Sequence, residues 1–194
     1  MANTAEKFGL RPYRSINGAA WNNAQNRYTI SDNNSTAIYQ GDLVIAEADG
    51  EISRHVAGNS AAIIGVFNGC TYTDPVSKKP VFSNYYPGSI NVSDIVAYVV
   101  DDPDTVFLIN ADQSFARTDV FANYSVDGGT GNTKTGISEV QLDVSTADTL
   151  NYLALQAIDI SQDPANSDQT STNTNVLVRI NNHFYKGGTT GLTT

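Results

Sequence analysis

The chain has 194 residues, 40% of them hydrophobic and 16% charged, with a net charge of −9 and single Cys, Met and Trp residues. One cysteine excludes a disulfide framework and every multi-cysteine zinc site, and two histidines, His55 and His183, are too few for a three-histidine metal centre. A pI near 4.4 argues against general nucleic-acid binding, and the length suits one domain carrying an arm or insertion.

Asn, Thr, Ser and Gly number 20, 19, 16 and 15, and such uncharged polar residues favour turns and solvated strand faces over helices. The opening MANTAEKFGL has no apolar segment of the kind a secretory signal needs, so cytoplasmic synthesis is expected. The longest apolar runs, Ala61 to Phe67 and Ile95 to Val100, are strand-length, which predicts no membrane span.

Residues 1–27 show neither helical nor strand periodicity. Phe8-Gly9-Leu10-Arg11-Pro12 and Asn17-Gly18 interrupt any helix, and Pro12 drives Arg11 toward extended geometry. The segment predicts an extended N-terminal arm with apolar anchors Phe8, Leu10, Tyr13, Ile16 and Trp21. Its charge is distinct: Lys7, Arg11, Arg14 and Arg27 against Glu6 give +3, while seven cations and nineteen acids give the remainder −12.

From Arg27 onward, short apolar runs alternate with turn residues. Asp49-Gly50 between Leu43–Ala46 and Glu51-Ile52 predicts a hairpin. Asn68-Gly69 between Ala62–Phe67 and Cys70–Thr73 predicts another, on the strongest short-range signal in the chain. Pro87-Gly88 and Asp101-Asp102-Pro103-Asp104 are further turns, the second joining the strands Ile95–Val100 and Thr105–Asn110. Residues 127–132 read as a flexible loop, and Ser145-Thr146-Ala147-Asp148 as the cap of a short helical turn. Leu153–Ile160 is a strand of ambiguous facing, residues 161–175 a polar loop without apolar anchors, and Asn175–Asn181 a half-buried strand. About ten short strands without an amphipathic helix predict an all-β fold, a small β-barrel or sandwich with an extended N-terminal arm and long loops. The expected division is an arm at 1–27, a β-rich body at 28–185 and a flexible C-terminal tail at 186–194.

No pattern of catalytic residues emerges. Gly128–Thr135 approaches a phosphate-binding loop, but Thr133 stands where that pattern needs glycine and a strand rather than a helix follows. Asp101, Asp102 and Asp104 cluster on one turn without the further ligands of a calcium loop. Cys70 lies on a predicted strand without a neighbouring cation, as an inert packed thiol would. The expectation is a non-enzymatic protein without a cofactor or bound metal.

The leader Phe8-Gly9-Leu10-Arg11-Pro12 with Asn17-Gly18 resembles the start of capsid cement, or head decoration, proteins of tailed bacteriophages. The resemblance continues through Gly41-Asp42-x-Val44, Ala48-Asp49-Gly50, Gly65-Val66-Phe67-x-Gly69 with Tyr72, and Tyr86-Pro87-Gly88. It resumes at Ala97–Asp104 and at Val178-x-Ile180-Asn181-x-His183, covering most of the chain in order. It implies a small β-rich virion protein, often a homo-trimer, on the outer capsid surface. There it would tie neighbouring major capsid protein subunits together without contacting nucleic acid or membrane. The expected contact residues are Phe8, Leu10, Tyr13 and Trp21 as apolar anchors and Arg11 and Arg14 as charged ones, since aromatics and arginine dominate interface energetics. Alternatively, Trp21 and Tyr13 would cover the open end of the chain's own body. The competing functional reading is a carbohydrate- or receptor-binding β-domain of a phage tail or fibre, suited by ten Tyr and 20 Asn.

Overall fold

The computed structural model describes residues 3–192. The β-branched and aromatic runs form two six-stranded antiparallel sheets and two short ribbons. In the first sheet the spatial order is β1 (Arg11–Ser15), β10 (Thr105–Asn110), β16 (Asn175–Ile180), β15 (Leu155–Ile160), β11 (Asn123–Val126) and β14 (Leu142–Asp148). In the second it is β2 (Asn26–Thr29), β9 (Val96–Val100), β6 (Ile63–Thr73), β4 (Leu43–Ala46) and β5 (Ile52–Arg54), with β7 (Pro80–Ser83) on the distal half of β6. The ribbons are β3 (Ile38–Tyr39) with β8 (Tyr85–Tyr86) and β12 (Gly131–Asn132) with β13 (Ile137–Ser138). The fold is all-β, and of the two expected architectures the open sheets are compatible with a sandwich; no barrel closes among the described residues.

Two cores explain why the apolar runs are continuous rather than alternating. The main core lies between the sheets. It takes Phe107, Ile109, Leu142, Leu155, Val176 and Val178 from one, and Leu43, Ile45, Ile63, Val66 and Val100 from the other. A second core covers the opposite face of the second sheet, where Val44, Ile64, Phe67, Cys70, Ala97 and Val99 meet Ile30, Ile38, Tyr86 and Ile95. Strand β4 and the first half of β6 are therefore buried on both faces, which demands apolar residues at successive positions, whereas β9 is half-buried at Val96 and Tyr98. Cys70 is one of these core residues, and burial pushes its thiol up to about 12. At that value it is a packing group rather than a nucleophile.

The Asn68-Gly69 pair does not turn the chain. It sits inside the 11-residue strand β6, where the register against β9 slips between Phe67 and Gly69. Gly69 there takes a φ of 137°, which disfavours any side chain. The extra residue is a β-bulge, and it has a packing consequence: Phe67 and Cys70, three positions apart, both face the second core. In an unbroken strand they would point to opposite faces. Tertiary pairing on both sides of β6 overrides the local turn preference. The Asp49-Gly50 hairpin does form, joining β4 to β5 with Gly50 at φ 86°.

Five other expectations differ from the structure. The leader is partly built into the body: Leu10 is 1% and Phe8 5% exposed, and residues 11–15 pair with β10 as an edge strand. Ser145–Asp148 continues β14 instead of capping a helical turn, because it lies alongside β11. The loop at 161–175 lacks apolar anchors but has polar ones: Asn3 donates to the carbonyl of Asp168 at 2.8 Å, and Asn166 to that of Thr4 at 2.8 Å. Of the expected tail, Gly191 donates to Thr149 and Leu192 to Phe121 through backbone bonds of 3.1 and 2.9 Å; residues 193–194 lie outside the described ones. Strand β16 is buried at five of its six positions rather than half-buried, because it is central in its sheet.

One buried ionic node ties these parts together. Asp42 is fully buried; its carboxylate accepts the Ser138 hydroxyl at 2.6 Å and the Tyr39 amide at 2.8 Å. Arg54 Nε approaches the same carboxylate at 3.0 Å, held by charge rather than by a linear hydrogen bond. Arg54 also donates to the Gly129 carbonyl, so β5 reaches the loop before β12. Burial pushes the Asp42 carboxyl above its ordinary range, against the opposing pull of Arg54, Ser138 and Tyr39. An unpaired buried carboxylate is costly, so Arg54→Met is expected to lose about 3–5 kcal/mol at neutral pH in urea unfolding. The charged form of Asp42 is what suffers. The loss should therefore shrink as the pH falls and Asp42 takes up a proton in the folded variant.

Candidate interaction surface

The six expected contact residues occupy three different environments. Phe8 and Leu10 point into the protein. Leu10 belongs to the main core, and its amide donates to the Gly41 carbonyl at 2.9 Å. They are thus anchors of the chain's own fold. Trp21 is half-buried and packs against the main core, the covering role that was the alternative for it. Arg11, Tyr13 and Arg14 remain on the surface, Arg11 and Tyr13 exposed and Arg14 half-buried.

Strand β1 presents these residues because it is an edge strand, paired on one side with β10. Tyr13 is 54% exposed, and the register slips between Pro12 and Arg14, which places Tyr13 at an irregularity. At the far end of β1 the chain doubles back: Gly18 donates to Ser15 at 3.0 Å and Ser15 to Ala19 at 2.8 Å. Gly18 adopts a φ of 89°, which makes Asn17-Gly18 a turn that leaves Ile16 44% exposed. The Arg11 guanidinium lies 4.1 Å above the Phe8 ring, a cation–π contact that holds it beside the strand. Neither Arg11 nor Arg14 forms an ion pair among the described residues.

A cavity of about 160 Å³ opens next to β1. Phe8, Leu10, Val66, Phe67 and Val100 give it apolar walls, and Arg11, Gln40 and Asn68 supply polar ones. Three of the six expected residues therefore converge on one concavity, Phe8 and Leu10 as walls and Arg11 as a cation. The volume is below the usual small-molecule range of roughly 300–1,000 Å³ and is nearer the size of one side chain.

The Asp101–Asp104 turn extends this surface. Ile16 donates its amide to the Asp104 carbonyl at 2.8 Å, and Lys186 reaches the Asp104 carboxylate at 2.5 Å. Asp101 accepts Asn26 Nδ2 at 2.9 Å and the Tyr28 hydroxyl at 2.6 Å, and Tyr28 shares a 3.0 Å hydrogen bond with Tyr185. These aspartates thus organise the junction of β2, β9 and β10 with residues 183–186. Burial, followed by the hydrogen bond to Asp101, pushes the Tyr28 phenol upward, so it acts as a donor and not as a base. Phe184 and Tyr185, both more than half exposed, stand at this junction. Sequence patterning does not single them out, because their exposure arises from the docking of residues 183–186 against Ile63 and Asp104.

His183 is the buried titratable group of this corner, accepting the Tyr185 amide on Nδ1 at 3.1 Å. Burial holds its imidazole below the ordinary value of 6.5, with Asp101 and Asp102 opposing. His55 is lowered by burial as well.

The fold and this corner describe an all-β protein of two open, packed sheets with a basic, aromatic edge on an otherwise acidic body. No family model, curated protein or solved structure matches the chain.

Two measurements check these placements. Leu10→Ala is expected to cost about 2–5 kcal/mol in urea unfolding, whereas Tyr13→Ser should stay within about 0.5 kcal/mol of the parent. Equal effects would contradict the assigned burial. For the histidines, a depressed folded value means that the unfolded chain takes up protons first. Their stabilising contribution is complete above pH 6.5 and is lost as the pH falls through and below it. Thermal scans should show His183→Gln losing less stability than the parent between neutral and mildly acid pH.

Proposed function

We propose that the chain is a capsid cement protein of a tailed bacteriophage, acting by binding and not by catalysis. It docks on the outer surface of the assembled head and clamps neighbouring major capsid protein subunits. The observation that carries this reading is the β1 edge: Tyr13 and Ile16 exposed beside Arg11 and Arg14, cations without an ion pair among the described residues, on a chain that is otherwise strongly acidic. Exposed aromatic and aliphatic groups next to arginine form the kind of small anchor cluster that dominates interface energetics. The adjoining 160 Å³ cavity suits one apolar side chain of the partner, with Arg11 placed to meet an acidic neighbour of it. The ordered resemblance of the leader and turn motifs to cement proteins supplies the identity of that partner.

The mechanism follows from linkage. A ligand that binds only the assembled lattice stabilises it by mass action. A homo-trimer would engage several subunits at once and add avidity, provided its edges reach them together. The head is assembled in the host cytoplasm, where a chain with a single buried thiol folds without disulfides.

Because Phe8 and Leu10 are core residues, removing the whole leader would damage the fold and test nothing. The informative variant is Tyr13→Ser with Ile16→Ser, alongside Arg11→Glu, each confirmed as folded. Co-sedimentation with assembled heads of the phage that encodes the chain should fall at least about tenfold for each, the equivalent of 1.4 kcal/mol. The parent's binding should weaken as salt screens the arginines. Undiminished occupancy in both variants would remove β1 from the interface, and a parent that fails to sediment with heads would sink the cement reading itself.

A further inference from the structure

At the edge of the first sheet opposite β1 lies a larger groove of about 460 Å³, within the usual small-molecule range of roughly 300–1,000 Å³. Five inter-strand steps separate β1 from β14, roughly 24 Å at ordinary strand spacing, so docking through β1 leaves this groove open. Its walls come from β11 and β14, from the loop of residues 57–60 and from the turn of residues 152–154.

The chemistry of the lining is selective. Tyr152 stands on one wall, 48% exposed, and its hydroxyl makes no hydrogen bond among the described residues. Asp143 spends only Oδ1 internally, on the amide and hydroxyl of Ser145 at 3.1 and 2.5 Å, and Oδ2 accepts no hydrogen bond among the described residues. Asn59 accepts the Ala61 amide on Oδ1 at 2.8 Å, which fixes its side-chain amide and leaves both Nδ2 protons uncommitted. The Ser60 hydroxyl is likewise uncommitted, whereas Thr146 is consumed by Ser125 and Asp143. Val126, Leu153 and Ala154 supply apolar surface between these groups.

We infer that this groove binds a neutral pyranose, either as the free sugar or as the terminal unit of a glycan. A carboxylate oxygen, an amide donor and two hydroxyls match the mixed donors and acceptors of vicinal sugar hydroxyls. An exposed phenol ring offers a flat apolar surface for the C–H face of the ring while its own hydroxyl stays polar. Anionic ligands are disfavoured, since no Lys, Arg or His lines the groove and Asp143 repels them. A divalent cation would need several oxygen donors with more than one acid, and Asp143 is the only carboxylate in the lining.

The test is saturation-transfer NMR on the full chain. The probes are a panel of methyl hexopyranosides and trisaccharides ending in the same hexoses. The expected result is transfer to at least one hexose, with Tyr152→Ala and Asp143→Asn each weakening binding about tenfold or more and Tyr13→Ser leaving it unchanged. Asp143→Asn keeps the Oδ1 acceptor for Ser145, and circular dichroism and thermal melting confirm that both variants fold. Tighter binding of the trisaccharide assigns the groove to a glycan, and equal affinity to a single sugar unit. Absence of transfer from every probe overturns the inference, as does transfer that survives either groove substitution. The result is independent of head binding, because the probes are small sugars and the control residue lies on β1.

Discussion

The buried carboxylate of Asp42 is the constraint on which the arrangement of elements turns. Around it the main chain is interlocked as tightly as the side chains. Leu10 donates to Gly41, Gly41 to Phe67, Phe67 back to Asp42, and Ser138 to Gln40, through bonds of 2.8–2.9 Å. Gly41 must pass between Phe8 and Leu10 with a φ of 96°, and a Cβ there would lie 2.9 Å from the Phe8 carbonyl. The N-terminal segment, β4, β5, β6 and the β12–β13 ribbon thus meet within a few residues. A buried ion pair contributes little net stability by itself, because desolvation offsets the attraction. A misplaced partner would strand a charge in the core, which is the costly outcome.

That node also governs the surface. The cavity beside β1 is walled by Gln40 and Gly41 from the node and by Leu10 and Phe67, whose amides bond to it. The basic edge is therefore positioned by a buried node of the molecule and is not a loosely tethered arm. A rigidly held strand loses less conformational entropy on docking than a free arm would. The exposed Tyr13 and Ile16 are accordingly preorganised, while Phe8 and Leu10 are spent on folding and Trp21 packs against the main core.

The first sheet then separates two surfaces of different character. At the β1 edge the exposed groups are cationic and apolar. At the β14 edge they are neutral or acidic, with uncommitted hydrogen-bonding groups around an exposed tyrosine. An open sheet makes this possible, since it keeps two distinct edges that closure into a barrel would abolish. Both proposals depend on that openness.

Composition and turn spacing were sufficient to determine the all-β class, the Asp49-Gly50 hairpin, the Asp101–Asp104 turn and the inert character of Cys70. Each depends on local conformational preference or on the scarcity of a residue type. The split between a +3 leader and a −12 remainder was equally legible, because charge is additive along a chain. Tertiary structure alone decided what the leader does, since the burial of Leu10 and the exposure of Tyr13 follow from the pairing of β1 with β10, a partner about 95 residues away. It also turned Asn68-Gly69 from a hairpin into a bulge, because ladders on both sides of β6 outweigh one local turn preference. The groove at β14 was invisible in sequence for the same reason. Asn59 lies far from Asp143 and Tyr152 in the chain, and only packing of the second sheet's loop against the edge of the first brings them together.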